Sequence, residues 1–147
     1  MKVKPLLRPS QVNLPASVWW LMGVYTLASL AHFAHNAEYI AFYPNMPTWI
    51  TRATVYQAWL AVAGVGMTGA ALVLVGWPVA GAIFIAAYGG LGLDGLTHYT
   101  LALCSAHTLT ANLTIWAEAG FGMVLFLAAG RVALKLPASK RIARGAT

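Results

Sequence analysis

Four long apolar runs, set apart by short polar breaks, dominate the sequence. The first extends from Ser17 to about Tyr43 and ends at Tyr43-Pro44-Asn45-Met46-Pro47-Thr48, where two prolines and an asparagine predict a turn. The second, Thr51 to Val75, opens on the polar residues Thr51, Arg52, Thr54 and Gln57 and stops at Gly76-Trp77-Pro78. A third covers about Val79 to Leu101, and Cys104-Ser105-Ala106 is a minimal break before a fourth, about His107 to Val132. Each run is long enough for a helix to cross a bilayer, which takes about 20 residues. The first run is longer than the apolar stretch of a cleaved leader, about 7–15 residues, and contains His32, His35 and Glu38, so it reads as a retained crossing.

Composition agrees with the pattern. Of 147 residues 60% are hydrophobic and 8% charged, and the mean hydropathy is +0.71. An ordinary soluble domain is excluded, since it carries about 25% charged residues. A disulfide scaffold is excluded by the single cysteine, Cys104. The expected fold is an all-α integral membrane four-helix bundle. Residues 1–16 form a cytoplasmic N-terminal segment, 17–132 the transmembrane domain and 133–147 a basic cytoplasmic tail.

Charge changes the picture by orienting it. Eight of the nine basic residues lie near the two ends of the chain, and only Arg52 falls on the other side. The positive-inside rule then places both termini in the cytoplasm, as an even number of crossings requires, and the location is a multi-pass inner (plasma) membrane. The net charge of +6 is read as orientation and contact with anionic lipid headgroups, so the lipid bilayer is the expected partner and nucleic acid is not. Trp19, Trp20 and Trp77 at one interface and Trp49 at the other fit the aromatic belt. Glycines cluster at Gly64, Gly66 and Gly69 and again at Gly89, Gly90, Gly92 and Gly95, where small residues let helices approach closely.

The chemistry is in the position of the polar groups. All three acids, Glu38, Asp94 and Glu118, and all four histidines, His32, His35, His98 and His107, fall inside or at the ends of the runs. An ionisable side chain in hydrocarbon costs roughly 2.5–3.5 kcal/mol on insertion scales, so such groups face the interior and find partners. Helix rise puts His32 and Asp94 on the order of 13 Å below the outer boundary, His35 and His98 on the order of 8 Å, and Glu118 on the order of 16–18 Å. Glu38 and His107 fall at the boundary. His107 and Glu118, about three turns apart, share a helix face, as do Asp94 and His98; Asn36 and Asn112 are candidate polar groups of the pocket, with Asn112 turned away from the His107 and Glu118 face. The expectation is a polar pocket in the outer half, lined by helices 1, 3 and 4, in which Glu118 joins His32 and Asp94 and His107 lines the opening.

Imidazoles three or four residues apart with carboxylates on facing helices are how helical bundles hold metal. The metal-ligand candidates are His32, His35, Asp94, His98, His107 and Glu118. Asp94 and Glu118 are the catalytic candidates, because buried intramembrane carboxylates are functional by default. The expected cofactor is a transition metal, iron, copper or zinc, serving oxidation of a small or lipid-like substrate. The alternatives are metal-free acid and base chemistry on a lipophilic substrate, as an isomerase performs it, and a haem or pigment site with His32 or His35 opposed to His98. A proton-linked carrier, a homo-oligomer or an accessory subunit of a larger membrane complex completes the set.

Overall fold

A computed structural model describes residues 14–42 and 47–145, apart from the side chains of Leu101 and residues 137–145. Segment 1–16 therefore lies outside the described residues except for its last three. The described chain is helical throughout. Its α-helices are α1 (Ala16–Glu38), α2 (Arg52–Leu74), α3 (Pro78–Leu91), the short α4 (His98–Leu101) and α5 (Leu109–Gly145). A 3-10 turn over Gly92–Thr97 joins α3 to α4, and two more lie at Ile40–Phe42 and Cys104–Ala106. By length and composition three helical stretches can cross a bilayer: Arg52–Leu74, Pro78–Thr100 and Leu109–Leu136. These make the chain a multi-pass membrane protein. α1 is as long as α2, but Ser29, His32, His35 and Asn36 leave it outside that set.

Local sequence explains the ends. Thr51 caps α2 reciprocally, its Oγ1 accepting from Thr54 N at 3.2 Å while Thr54 Oγ1 accepts from Thr51 N at 2.8 Å. At the other end Trp77 N donates to Leu72 O (2.8 Å) and Gly76 N to Val73 O (3.1 Å), a double closure that needs a left-handed residue. Gly76 supplies it at φ 90°, and Pro78, which lacks a donor, starts α3. Thr108 Oγ1 accepts from Ala111 N at 3.2 Å and caps α5.

Packing follows a seam of small and apolar residues. On α5 the buried positions Ala111, Ile115, Glu118, Gly122, Leu125 and Ala129 recur at alternating spacings of four and three, one face of a helix. α1 and α3 each pack against both α2 and α5. The contacts pair Ser29 with Glu118 and Tyr25 with Gly122, so α1 and α5 are antiparallel. Close approach at Gly69 with Gly81 joins α2 to α3, and at Gly89 with Gly122 joins α3 to α5. Because lipid tails are as apolar as leucine, this intimate contact, rather than burial of oil, favours the packed state. The apolar core, including Val18, Val73, Ile85, Leu125 and Ala129, fills the end that holds the start of α1.

Two expected helices differ in the structure. The third run is not one α-helix to Leu101, because glycines at positions 89, 90, 92 and 95 weaken helical propensity and the backbone tightens to 3-10 over Gly92–Thr97. The fourth run starts two residues late, at Leu109, and its helix continues beyond Val132 to Gly145.

Candidate functional site

The site lies where α1, α5 and the 3-10 turn meet. On α1, Tyr25, Ser29, His32 and Asn36 recur at spacings of four, three and four, so they form one inward stripe. Facing it on α5 are Thr114 and Glu118. Glu118 is 2% exposed, yet it is a carboxylic acid among apolar neighbours, and Ser29 Oγ donates to its Oε1 at 2.7 Å. Its Oε2 stands 3.6 Å from His32 Nε2. Gly95 closes the third side: a Cβ there would lie 3.1 Å from Glu118 Oε2 and 3.8 Å from His32 Nε2. Gly92 is pressed against Tyr25 in the same way. Glycines thus let the 3-10 backbone lie almost on the carboxylate.

The network continues outward from His32. Asn36 Nδ2 lies 3.0 Å from His32 Nε2 and 3.3 Å from His98 Nε2, so one amide can donate to both rings when each carries its proton on Nδ1. His32 Nδ1 then faces Thr114 Oγ1 at 3.4 Å, and Thr114 in turn donates to Ala111 O at 2.9 Å. The His32 and His98 rings meet edge to face at 5.3 Å, and His98 and His107 at 6.2 Å. A file of polar groups therefore leads from His107 through His98, Asn36 and His32 to Glu118 and Ser29.

This file forms one wall of a cavity of about 1060 Å³. That is at the upper end of small-molecule pockets, about 300–1,000 Å³. His32, Asn36, Asp94, His98, His107 and Glu118 supply its polar wall, while Phe33, Ile40, Ile50, Val55, Ala58, Val62, Leu91 and Leu93 supply an apolar one. A second cavity of about 600 Å³ is lined by His35, Tyr39, Phe42 and Thr108 and shares His107 and Ala102 with the first.

No family model, curated protein or solved structure matches the chain.

The structure brings five of the expected site residues, His32, Asp94, His98, His107 and Glu118, to one cavity. His35 is set apart, stacked on Tyr39 at 4.7 Å and facing the smaller cavity. Glu38 is also apart, accepting from Arg52 Nη2 at 2.6 Å and from the Tyr56 hydroxyl at 2.8 Å on the exposed surface. Asp94 is exposed and His98 partly buried, and both line this cavity. His107 precedes α5, its Nδ1 near Leu103 O at 3.1 Å. Among the described residues no three His, Cys, Asp or Glu side chains converge closely enough to hold a metal ion.

Sequence reasoning passed over Ser29, and it gave Asn36 and Asn112 as polar groups of the pocket without naming their partners. Ser29, the donor to Glu118, is an ordinary serine in an apolar run, although its place three residues before His32 puts it on the same stripe. Asn36 joins the two imidazoles for the same geometric reason. Asn112, buried, accepts from the Tyr99 hydroxyl at 2.7 Å and donates to Cys104 O at 3.0 Å, fixing the loop that carries His107.

Proposed function

We propose that the protein crosses the inner membrane four times with both termini in the cytoplasm, and that its cavity binds a small lipophilic molecule and exchanges a proton with it. The observation that carries this reading is the contact of Glu118 with Ser29 and His32 at the floor of a cavity whose opposite wall is apolar. A carboxyl group and an imidazole at 3.6 Å are the acid and base of a proton shuttle once a substrate sits beside them. His32 would turn over by changing the ring nitrogen that holds its proton. Thr114 and Asn36 favour the Nδ1 form at rest, and a proton taken on Nε2 faces Glu118. Ser29 holds the carboxyl in register, and Asn36 holds the His32 and His98 rings in register. An isomerase that moves a double bond, or another enzyme that removes and returns a proton, needs this set and nothing more.

A second reading, metal-dependent oxidation of a small or lipid-like substrate, is supported by the convergence of the His32 and His98 Nε2 atoms on a single Asn36 amide nitrogen. Iron, copper or zinc bound there would take the two imidazoles and draw on the Glu118 carboxylate, and would supply redox or Lewis-acid chemistry. It would displace Asn36. Incubating the protein in deuterated water with a lipid extract separates the two. Under the first reading deuterium enters a lipophilic compound, Glu118→Gln and His32→Ala each lower the rate by about 10²-fold or more, and a chelator has no effect. Loss of exchange on chelation supports the second, and exchange unaltered by both substitutions overturns the first.

A further inference from the structure

The charges around the cavity do not balance. Asp94 and Glu118 both line it, and among the described residues no Lys or Arg does. The basic residue on this side of the fold, Arg52, is held on Glu38 at 2.6 Å, where Tyr56 also binds, and the others lie toward the chain ends. Glu118, 2% exposed, lines the cavity with its Oε1 bonded to Ser29 and its Oε2 3.6 Å from His32 Nε2, a ring that carries no permanent charge. The Asp94 carboxylate accepts no hydrogen bond and makes no ion pair among the described residues; the Thr97 hydroxyl bonds instead to the Asp94 backbone oxygen at 2.6 Å. Asp94 adjoins Gly95, whose Cα face meets Glu118 Oε2, so both acids belong to the same end of the cavity. Carboxyl groups at membrane depth normally pair with a cation. Here the described residues that line the cavity provide imidazoles but no permanent positive charge.

The wall that α2 contributes has the opposite character. Val55, Ala58 and Val62 stand at spacings of three and four on α2, one apolar face, with Phe33 and Leu91 opposite. A ligand filling the cavity would be apolar along one part and cationic at its tip.

We propose that the cavity takes a cationic amphiphile, an alkyl amine in its ammonium form, with the ammonium group between Asp94 and Glu118 and the chain against Val55, Ala58 and Val62. The inference rests on the cavity reading above and names its ligand class. A phospholipid amine is disfavoured, because its phosphate would enter beside two carboxylates.

The test uses the full-length protein in phosphatidylcholine nanodiscs at neutral pH, with equilibrium binding of decylamine, decanol and lysophosphatidylethanolamine measured above empty nanodiscs. Decylamine should bind saturably and about tenfold or more tighter than decanol, the scale of one ion pair removed from water. Lysophosphatidylethanolamine should compete at least about tenfold less well, since like charges repel at close range. Asp94→Asn should lower decylamine affinity about tenfold and leave decanol binding unchanged. Val55→Trp, which fills the apolar side without touching an acid, should weaken both ligands alike. Saturable decanol binding with no preference for the amine overturns the ammonium assignment and leaves the cavity reading standing. Absence of saturable binding by either ligand overturns both. Decylamine binding that requires added zinc, or is abolished by a chelator, assigns the carboxylates to a metal ion and also overturns the proposal.

Discussion

Gly89 is where the packing between α3 and α5 is least forgiving. A Cβ at this position would lie 2.6 Å from Gly122 O and 2.7 Å from Phe126 N, both backbone atoms that no rotamer change can move. Ordinary contact begins near 3.4 Å, so the two helices must part by about 0.8 Å in Gly89→Ala. Overpacking of this kind costs about 1–3 kcal/mol. The better helix propensity of alanine returns about 0.5–1 kcal/mol. The net loss is about 0–2.5 kcal/mol, which for a chain of this size lowers Tm by up to about 10 °C. Gly90 is the control, because a Cβ there meets the Phe126 ring at 3.5 Å, an ordinary contact. Gly90→Ala should be neutral or slightly stabilising. The two variants differ by one residue and one methyl group each, so thermal unfolding in the same detergent isolates the helix contact. Parting α3 from α5 also draws Gly92 and Gly95 away from Tyr25 and Glu118, so Gly89→Ala should weaken ligand binding at the cavity as well. A Gly89→Ala protein as stable as Gly90→Ala would refute the argument that backbone proximity at this crossing holds the fold.

Three further outcomes are expected. Asn112→Ala removes two buried hydrogen bonds, to Tyr99 and to Cys104 O, at about 1–3 kcal/mol, and amide exchange over residues 102–108 should accelerate; unchanged protection there would mean that the loop is held by something else. Glu38→Gln breaks an exposed ion pair worth no more than about 1 kcal/mol, so Tm should move by less than about 4 °C, and a larger fall would give this contact a structural weight that surface pairs lack. Cysteines placed at Asn45 and Ala138 should label from opposite sides of the membrane, with Asn45 outside, and labelling from one side would remove the four-crossing topology.

Where hydrophobic periodicity carries the signal, the sequence is informative about the fold. The α2 boundaries, expected at Thr51 and Val75 and found at Arg52 and Leu74, follow from a capping threonine and a glycine-proline stop, both of which act locally. The break in the third run was less legible. Glycine runs are common in membrane helices for packing alone, and the sequence does not show that Tyr25 and Glu118 come so close to Gly92 and Gly95 from other helices. The same logic divides the site. Ionisable residues in apolar runs mark themselves, so His32, His98 and Glu118 could be named from depth and helix face. Ser29 could not, because an uncharged polar residue is inexpensive enough in a membrane helix to have many uses, and only its partner across the interface gives it a role.

The stripe on α1 and the seam on α5 change character at the same level, and this links stability to chemistry. Toward the start of α1 the interior holds Val18, Leu125, Ala129 and Val73, a dry apolar plug. Glu118 and Ser29 stand at its edge, and beyond them the interior is Asn36, His98 and His107 around a cavity. A polar group with no partner is expensive in hydrocarbon, so the polar file persists only because each member satisfies the next: Ser29 with Glu118, Asn36 with His32 and His98. The plug fixes the helices, and the helices fix the file. Substitutions in the plug, at Gly69 or Gly81 for example, should therefore act through folding, and ligand affinity should recover where the fold is restored by lower temperature. Substitutions in the file, at Asn36 or His98, should alter proton exchange at nearly unchanged Tm, because the cavity beside them gives the freed neighbours room for water. The decisive comparison is Asn36→Ala against Gly81→Ala: if exchange and stability fall in the same proportion in both, the two ends of the molecule are one cooperative unit and the division at Glu118 has no energetic meaning.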